Sequence, residues 1–296
     1  MPATHVEVEG RQLRLTNLDK VLYPVPGFTK GQVIDYYTRV APYVLPHLLG
    51  RPLTLKRYPN GVDGGHFYEK QCPSHRPDWV RTAAIPVSRK TIDFCLCDDL
   101  PTLVWAANLA DLELHPSLSR AEAIEHPTTL AFDLDPGEPA GILECCEVAC
   151  LLRGLLGQLG LECFPKTSGS KGMQVYAPLD GEATYDQTKP LAQALARLLE
   201  TRHPQLVVST QKKELRVGRV LVDWSQNDEH KTTVCVYSLR AREWPTVSTP
   251  LRWAEVEKAR DPGDVTFEAG AVLERTAEHG DLFAPVVELR QRLPEL

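Results

Sequence analysis

Three aspartates carried on apolar strands constrain this chain more than any other feature. Asp133 and Asp135 stand in Thr129-Leu130-Ala131-Phe132-Asp133-Leu134-Asp135-Pro136-Gly137, and Asp223 closes Val220-Leu221-Val222-Asp223 nearly ninety residues later. Residues two apart on a strand share a face, so Asp133 and Asp135 point the same way, roughly 6–7 Å apart. Gathering three carboxylates on apolar strands is costly unless a divalent cation neutralises them. An all-oxygen donor set suits Mg²⁺ or Mn²⁺, which also grip phosphates. The expectation is two-metal phosphoryl chemistry. An Asp-x-Asp before Pro-Gly also marks many strands that simply run into a turn with both acids solvated, so the surrounding residues must decide.

Between the paired acids and Asp223 lies Thr167-Ser168-Gly169-Ser170-Lys171-Gly172, followed by strand-like Met173-Gln174-Val175-Tyr176. Glycines let backbone N–H groups approach an anion, serines add donors and Lys171 adds a point charge, which together suit a triphosphate cradle. The spacing G-x-x-x-x-G-K-[ST] is absent and the loop leads into a strand, which disfavours P-loop ATPase chemistry. Around Asp223, residues 211–242 hold seven Lys/Arg against four Asp/Glu, within a chain of net charge −6. This local basic field, with Lys212, Lys213, Arg216, Arg219, Lys231, Arg240 and Arg242, is where polyphosphate and nucleic-acid backbone contacts are expected.

These segments carry a family resemblance. Lys56-Arg57-Tyr58-Pro59-Asn60-Gly61, Phe67-Tyr68-Glu69-Lys70-Gln71, Leu114-His115-Pro116, the Asp133/Asp135 strand, Thr167 to Gly172 and Val222 to Asn227 occur in order and spacing across about Leu15 to Arg242. The chain resembles the polymerase domain of bacterial DNA ligase D, in the archaeo-eukaryotic primase superfamily. The resemblance implies an α+β fold of two packed α/β lobes with a central catalytic cleft, within one primase-polymerase domain over 1–296. Residues from about 243 to 296 form an acidic, partly helical tail packed on it. Asp133, Asp135 and Asp223 match the family's catalytic acids, which hold two Mn²⁺ or Mg²⁺ ions. His115, Ser168, Lys171, Arg216, Gln226 and Arg240 match positions that hold the incoming nucleotide's triphosphate or sugar, and Lys56 and Phe67 match positions lining its pocket. Lys20 and Lys30 match the lysines that hold a downstream DNA 5′-phosphate, although Thr29-Lys30-Gly31-Gln32 also reads as a capping box with Lys30 exposed on a first helical turn.

The implied activity is DNA-templated nucleotidyl transfer to primer 3′ ends at gaps or breaks, with ribonucleotides and Mn²⁺ preferred. Implied partners are gapped or broken DNA, nucleoside triphosphates, the end-binding protein Ku and a separate ligase, since no Lys-x-Asp-Gly adenylation motif is present. A metal-dependent nuclease would also use clustered acids but has less need of a Ser/Lys triphosphate loop. A non-catalytic end-binding protein would keep the lysines and tolerate loss of the acids.

No apolar run approaches the roughly 18 residues of a membrane span, and eight cysteines in such a chain fit a reducing cytoplasm without a disulfide framework. Cys145, Cys146, Cys150, Cys163 and Cys235 read as small core residues. Cys72, His75, Cys95 and Cys97 form two tight clusters that could close a Cys₃His structural zinc site, or Cys95 and Cys97 could share the inner face of a strand. Periodicity predicts a hairpin over 6–15 and helices over 30–48, 100–113, 141–159 and 187–201. Strands are predicted over 53–57, 66–70, 84–94, 128–133, 162–166, 173–177, 206–210 and 217–223.

Overall fold

A computed structural model describes residues 4–294; residues 1–3 and 295–296 of the expected 1–296 domain lie outside the described residues. The chain divides into two compact units, one of Met1–Ser117, Val234–Val247 and Glu268–Asp281, the other of Leu118–Thr233, Ser248–Phe267 and Leu282–Leu296. Mixed α and β structure runs throughout, in agreement with the α+β expectation.

In the first unit, helix Lys30–Leu48 buries Val33, Tyr36, Tyr37 and Val40, the inward face expected from its period. Thr29 caps it: its side chain accepts from the Gln32 backbone N–H while the Gln32 side chain accepts from Thr29 N. The strand Pro52–Arg57 pairs antiparallel with Phe67–Glu69, Lys90–Leu96 and Asp111–Pro116. Sequence periodicity extends the preceding helix to residue 113, but the helix ends at Asn108 and Ala110 takes a positive φ of 59°. The good helix formers of 109–114 are then captured by pairing with Pro52–Arg57, and all six residues of Asp111–Pro116 are buried, so no alternation marks the strand in sequence. The single strand expected over 84–94 is a hairpin, Thr82–Val87 and Lys90–Leu96, turning at Ser88 with φ 55°.

The zinc expectation does not hold. Cys72 and Cys95 are joined in a disulfide, so two of the four ligands are not thiolates, and this bond also corrects the expectation of an all-thiol chain. Cys97 is a free thiol whose burial pushes its pKa well up, away from the thiolate zinc requires, and His75 is exposed.

The second unit is organised on a five-stranded sheet in the order Phe164–Thr167, Met173–Pro178, Thr129–Pro136, Val220–Asp223, Val207–Val208. The first four strands are antiparallel neighbours and the last pair is parallel. Leu130, Phe132 and Leu134 alternate into a core with Val175, Val220 and Val222, packed by helices Ile142–Gln158 and Tyr185–Arg202. Leu251, Val256 and Val265, from beyond residue 243, join that core. The last two strands are shorter than expected, because Leu206 belongs to the turn before Val207 and Gly218, at φ 68°, to a turn before Val220.

Candidate active site

The alternation that sends Phe132 and Leu134 into the core turns Asp133 and Asp135 to the opposite face. Asp133 is paired directly with Asp223 across the antiparallel register, so all three acids occupy one face of the sheet. Asp133 also faces Gln174, which in turn faces Lys166, giving a lateral row Lys166–Gln174–Asp133–Asp223 over four strands. Gln174 Nε2 donates to Asp133 Oδ1 at 3.0 Å. Burial, with the charges of Asp223 and Asp135 and against the Gln174 hydrogen bond and Lys166, raises the Asp133 carboxyl to about 6.

The other two acids are held by their neighbours. Arg216 NH2 donates to Asp135 Oδ2. Ser225 N and Oγ donate to Asp223 Oδ1 at 2.9 and 2.6 Å, and Gln226 Nε2 donates to Asp223 Oδ2 at 2.9 Å. Two residues expected to contact the nucleotide, Arg216 and Gln226, thus rest on the acids. Among the described residues no three His, Cys, Asp or Glu side chains are drawn together as a cage. The donor set nevertheless fits a hard divalent ion: all ligand atoms are carboxylate oxygens, and one carboxyl is raised by burial and by the charges of the other two.

The Ser168–Gly172 loop closes on itself. Ser168 N donates to Gly172 O, and Ser168 Oγ accepts from Ser170 N and Gly172 N at 3.2 Å each. Lys171 is exposed and pairs with Glu138 at 2.9 Å. Gly172 lies against the acidic strand so closely that a Cβ there would stand 1.9 Å from Leu134 O.

In the first unit Lys56, His115 and Arg240 converge on one carboxylate. Glu113 Oε2 accepts from Lys56 Nζ and His115 Nε2 at 3.0 Å each and lies 3.4 Å from Arg240 Nε, while Oε1 accepts from Ala241 N at 3.0 Å. Burial alone would raise the Glu113 pKa, but the His115 hydrogen bond and the charges of Arg240 and Lys56 hold the carboxyl well below its usual range. His115, buried, is lowered below the ordinary imidazole value despite Glu113, and Tyr68 OH lies 3.3 Å from its Nδ1. Phe67 is exposed beside Tyr68.

The profile of the LigD primase-polymerase domain family matches residues 29–283. The chain belongs to that family. It is a polymerase-type nucleotidyltransferase domain, of a class that depends on metal ions. The multifunctional non-homologous end joining protein LigD of Mycolicibacterium smegmatis is 43% identical over 93% of this chain, and the bifunctional LigD of Bacillus subtilis 33% identical over 91%. This LigD-type domain covers 36% and 43% of those proteins' lengths. The polymerase domain of Mycobacterium tuberculosis ligase D, solved in complex with DNA, superposes with a TM-score of 0.88 at 41% identity, covering 94% of this chain and 99% of that one.

Lys20 and Lys30 of this LigD-type domain are neighbours. Lys30 N donates to Lys20 O, and Lys20 Nζ donates to Pro59 O and Asn60 Oδ1. The capping box forms, yet Lys30 is buried, its Nζ donating to Thr16 O at 2.6 Å and Oγ1 at 3.2 Å. Burial, then the charges of Lys20 and Arg57, lower its pKa to about 8. Sequence reasoning missed Glu113, Gln174 and Lys166. Glu113 stands two residues before His115, so strand alternation would have put both on one face had residues 109–113 not been assigned to a helix. Gln174 and Lys166 had no signal short of the register itself. No described helix is long and apolar enough to cross a membrane.

Proposed function

We propose that this chain, working as one primase-polymerase domain, adds nucleotides to primer 3′ ends on a DNA template at gaps and breaks during non-homologous end joining. The observation that carries the reading is the pairing of Asp133 with Asp223 on the face that also bears Asp135. The end-joining role is supported by the names of the LigD relatives, and the DNA substrate by the DNA complex of the Mycobacterium tuberculosis domain.

Asp133, Asp135 and Asp223 would hold two Mn²⁺ or Mg²⁺ ions, which supply charge neutralisation at the α-phosphate and activation of the primer 3′-hydroxyl. The remaining chemistry belongs to the chain's own side chains. Arg216 and Gln226, resting on Asp135 and Asp223, are placed to turn from carboxylate to triphosphate once the acids are otherwise engaged. Ser168 and the backbone of its closed loop supply neutral donors to phosphate oxygens, and Lys171 adds an exposed cation. Lys56, His115 and Arg240 contribute a second basic group, with Phe67 lining the base or sugar side. Lys20 and Lys30 bind the 5′-phosphate of the downstream strand by charge-assisted hydrogen bonds. Ribonucleotides and Mn²⁺ are the preferred substrate and ion, and Ku and a DNA ligase activity the partners in the cell.

The test is primer extension on a gapped duplex bearing a downstream 5′-phosphate, with Mn²⁺ or Mg²⁺ and each nucleotide type. Template-directed lengthening with pyrophosphate release is expected, fastest with ribonucleotides and Mn²⁺. Strand shortening without added nucleotide would overturn the reading in favour of a nuclease.

A further inference from the structure

Lys166 lies on the same sheet face as the acids, yet nothing in the transfer chemistry above employs it. It is fully buried, at 0% exposure. Its Nζ donates to Gln174 Oε1 at 2.5 Å and to Ser248 Oγ at 2.7 Å, and sits 5.4 Å from the centre of the Tyr176 ring. Burying an ammonium costs several kcal/mol unless a compensating charge lies within reach in the low-dielectric interior. The acids at the other end of the row supply that charge. The register fixes the order, Lys166 opposite Gln174, Gln174 opposite Asp133, Asp133 opposite Asp223.

The amide between them is oriented by the same logic. A lysine ammonium can only donate, so it selects the carbonyl end of Gln174, and the NH₂ end is then committed to Asp133. The hydrogen bond is made to Oδ1. Oδ2 is left for a ligand. The cation thereby polarises the amide toward the carboxylate and fixes which carboxylate oxygen is engaged.

We propose that Lys166 is the resident counter-cation of the acidic row, a positioning residue that, through the Gln174 amide, partly neutralises and orients Asp133 before a divalent ion arrives. The proposal rests on the acids being the metal centre, but its core is measurable on the metal-free protein.

The experiment is a double-mutant cycle between Lys166→Met and Asp133→Asn, read by urea unfolding in chelator at fixed pH. Methionine keeps the length and apolar stem of lysine without its charge. In the otherwise unaltered protein Lys166→Met lowers the urea midpoint, and in the Asp133→Asn background at least half of that loss disappears. Equal losses in the two backgrounds would reduce Lys166 to packing. Should the single variant fail to fold, the double variant is expected to accumulate as folded protein; failure of both overturns the proposal. Saturating Mn²⁺ should narrow the gap between Lys166→Met and the unaltered protein, since an added cation replaces the lost one. If the unaltered protein takes up no Mn²⁺ while the coupling persists, the metal reading fails and the counter-ion assignment stands.

Discussion

Gly172→Ala tests whether the loop and the acidic strand act as one rigid piece. The added Cβ would stand 1.9 Å from Leu134 O and 3.1 Å from Leu134 C and Pro136 Cδ, where real Cβ contacts do not fall below 3.0 Å. Opening that gap requires a movement of about 1.1 Å, and the obstacle is main chain, so no side-chain rotation can provide it. Leu134 lies between Asp133 and Asp135, and Gly172 N and O hold the Ser168 loop closed, so the movement must displace acids, loop or both. Misplacing reacting groups by about 1 Å costs on the order of 10²-fold in rate, and overpacking of this kind about 1–3 kcal/mol in stability. The expected result in steady-state primer extension is a drop of about 10²-fold in kcat/KM, with a lowered urea midpoint. Gly154→Ala, on the exposed side of helix Ile142–Gln158 with nothing within 4 Å of the added carbon, serves as the control and should gain roughly 0.5–1 kcal/mol without touching activity. Unchanged extension and stability in Gly172→Ala would refute the tight approach of loop to strand on which the site is built.

Replacing Asp133, Asp135 or Asp223 singly by Ala should abolish extension at every Mn²⁺ concentration; near-normal extension in any one would withdraw that residue from the site. In metal-free protein Asp135→Ala and Asp223→Ala should not lower the urea midpoint, because one like charge is removed, whereas Asp133→Ala also deprives Lys166 of its counter-charge and should lower it. Removing the downstream 5′-phosphate should weaken gap binding, and the Lys20→Ala/Lys30→Ala double variant should be indifferent to it, as measured by DNA titration. Lys30 in the free protein loses its proton as pH rises through about 8, whereas in the unfolded chain it keeps it to about 10.5. The 5′-phosphate preference should therefore be full at pH 7 and fade by pH 9, while folding stability rises between about pH 8 and about 10.5, where the unfolded chain keeps the proton that the folded one has lost; Lys30→Arg should hold the preference flat. Alkylation of the denatured, unreduced protein should label the six free cysteines and spare Cys72 and Cys95, and Cys72→Ser should cost about 2–4 kcal/mol; eight labelled thiols would rule the bond out.

Much of the second unit was legible in the sequence because its strands obey simple alternation. Phe132 and Leu134 point in while Asp133 and Asp135 point out, and a short apolar strand ends in Asp223. The helix over Lys30–Leu48 was equally plain, since capping box and apolar period agree. Asp111–Pro116 was hidden because a strand buried on both faces has no alternation, and its Leu and Glu residues favour a helix until Pro52–Arg57 captures them. The burial of Lys30 was equally hidden, since a capping box specifies the backbone and says nothing of what Thr16 does fourteen residues earlier. Cys72 and Cys95 were read as ligands because spacing reports proximity and is silent on whether two sulfurs meet as thiolates or as a bond.

The polar row across the sheet has a consequence for how such a chain can vary over evolutionary time. Lys166, Gln174, Asp133 and Asp223 come from four separate strands, and lateral register alone relates them. Insertions or deletions in the connecting helices Ile142–Gln158 and Tyr185–Arg202, or in the loops flanking them, leave that register untouched. A single-residue insertion within Thr129–Pro136 or Met173–Pro178 would instead turn the acids or the amide into the apolar core and bring hydrophobic side chains out in their place. Length variation among descendants of this sequence should therefore concentrate in the connectors and stop abruptly at the strand ends, whatever the side-chain identities on either side.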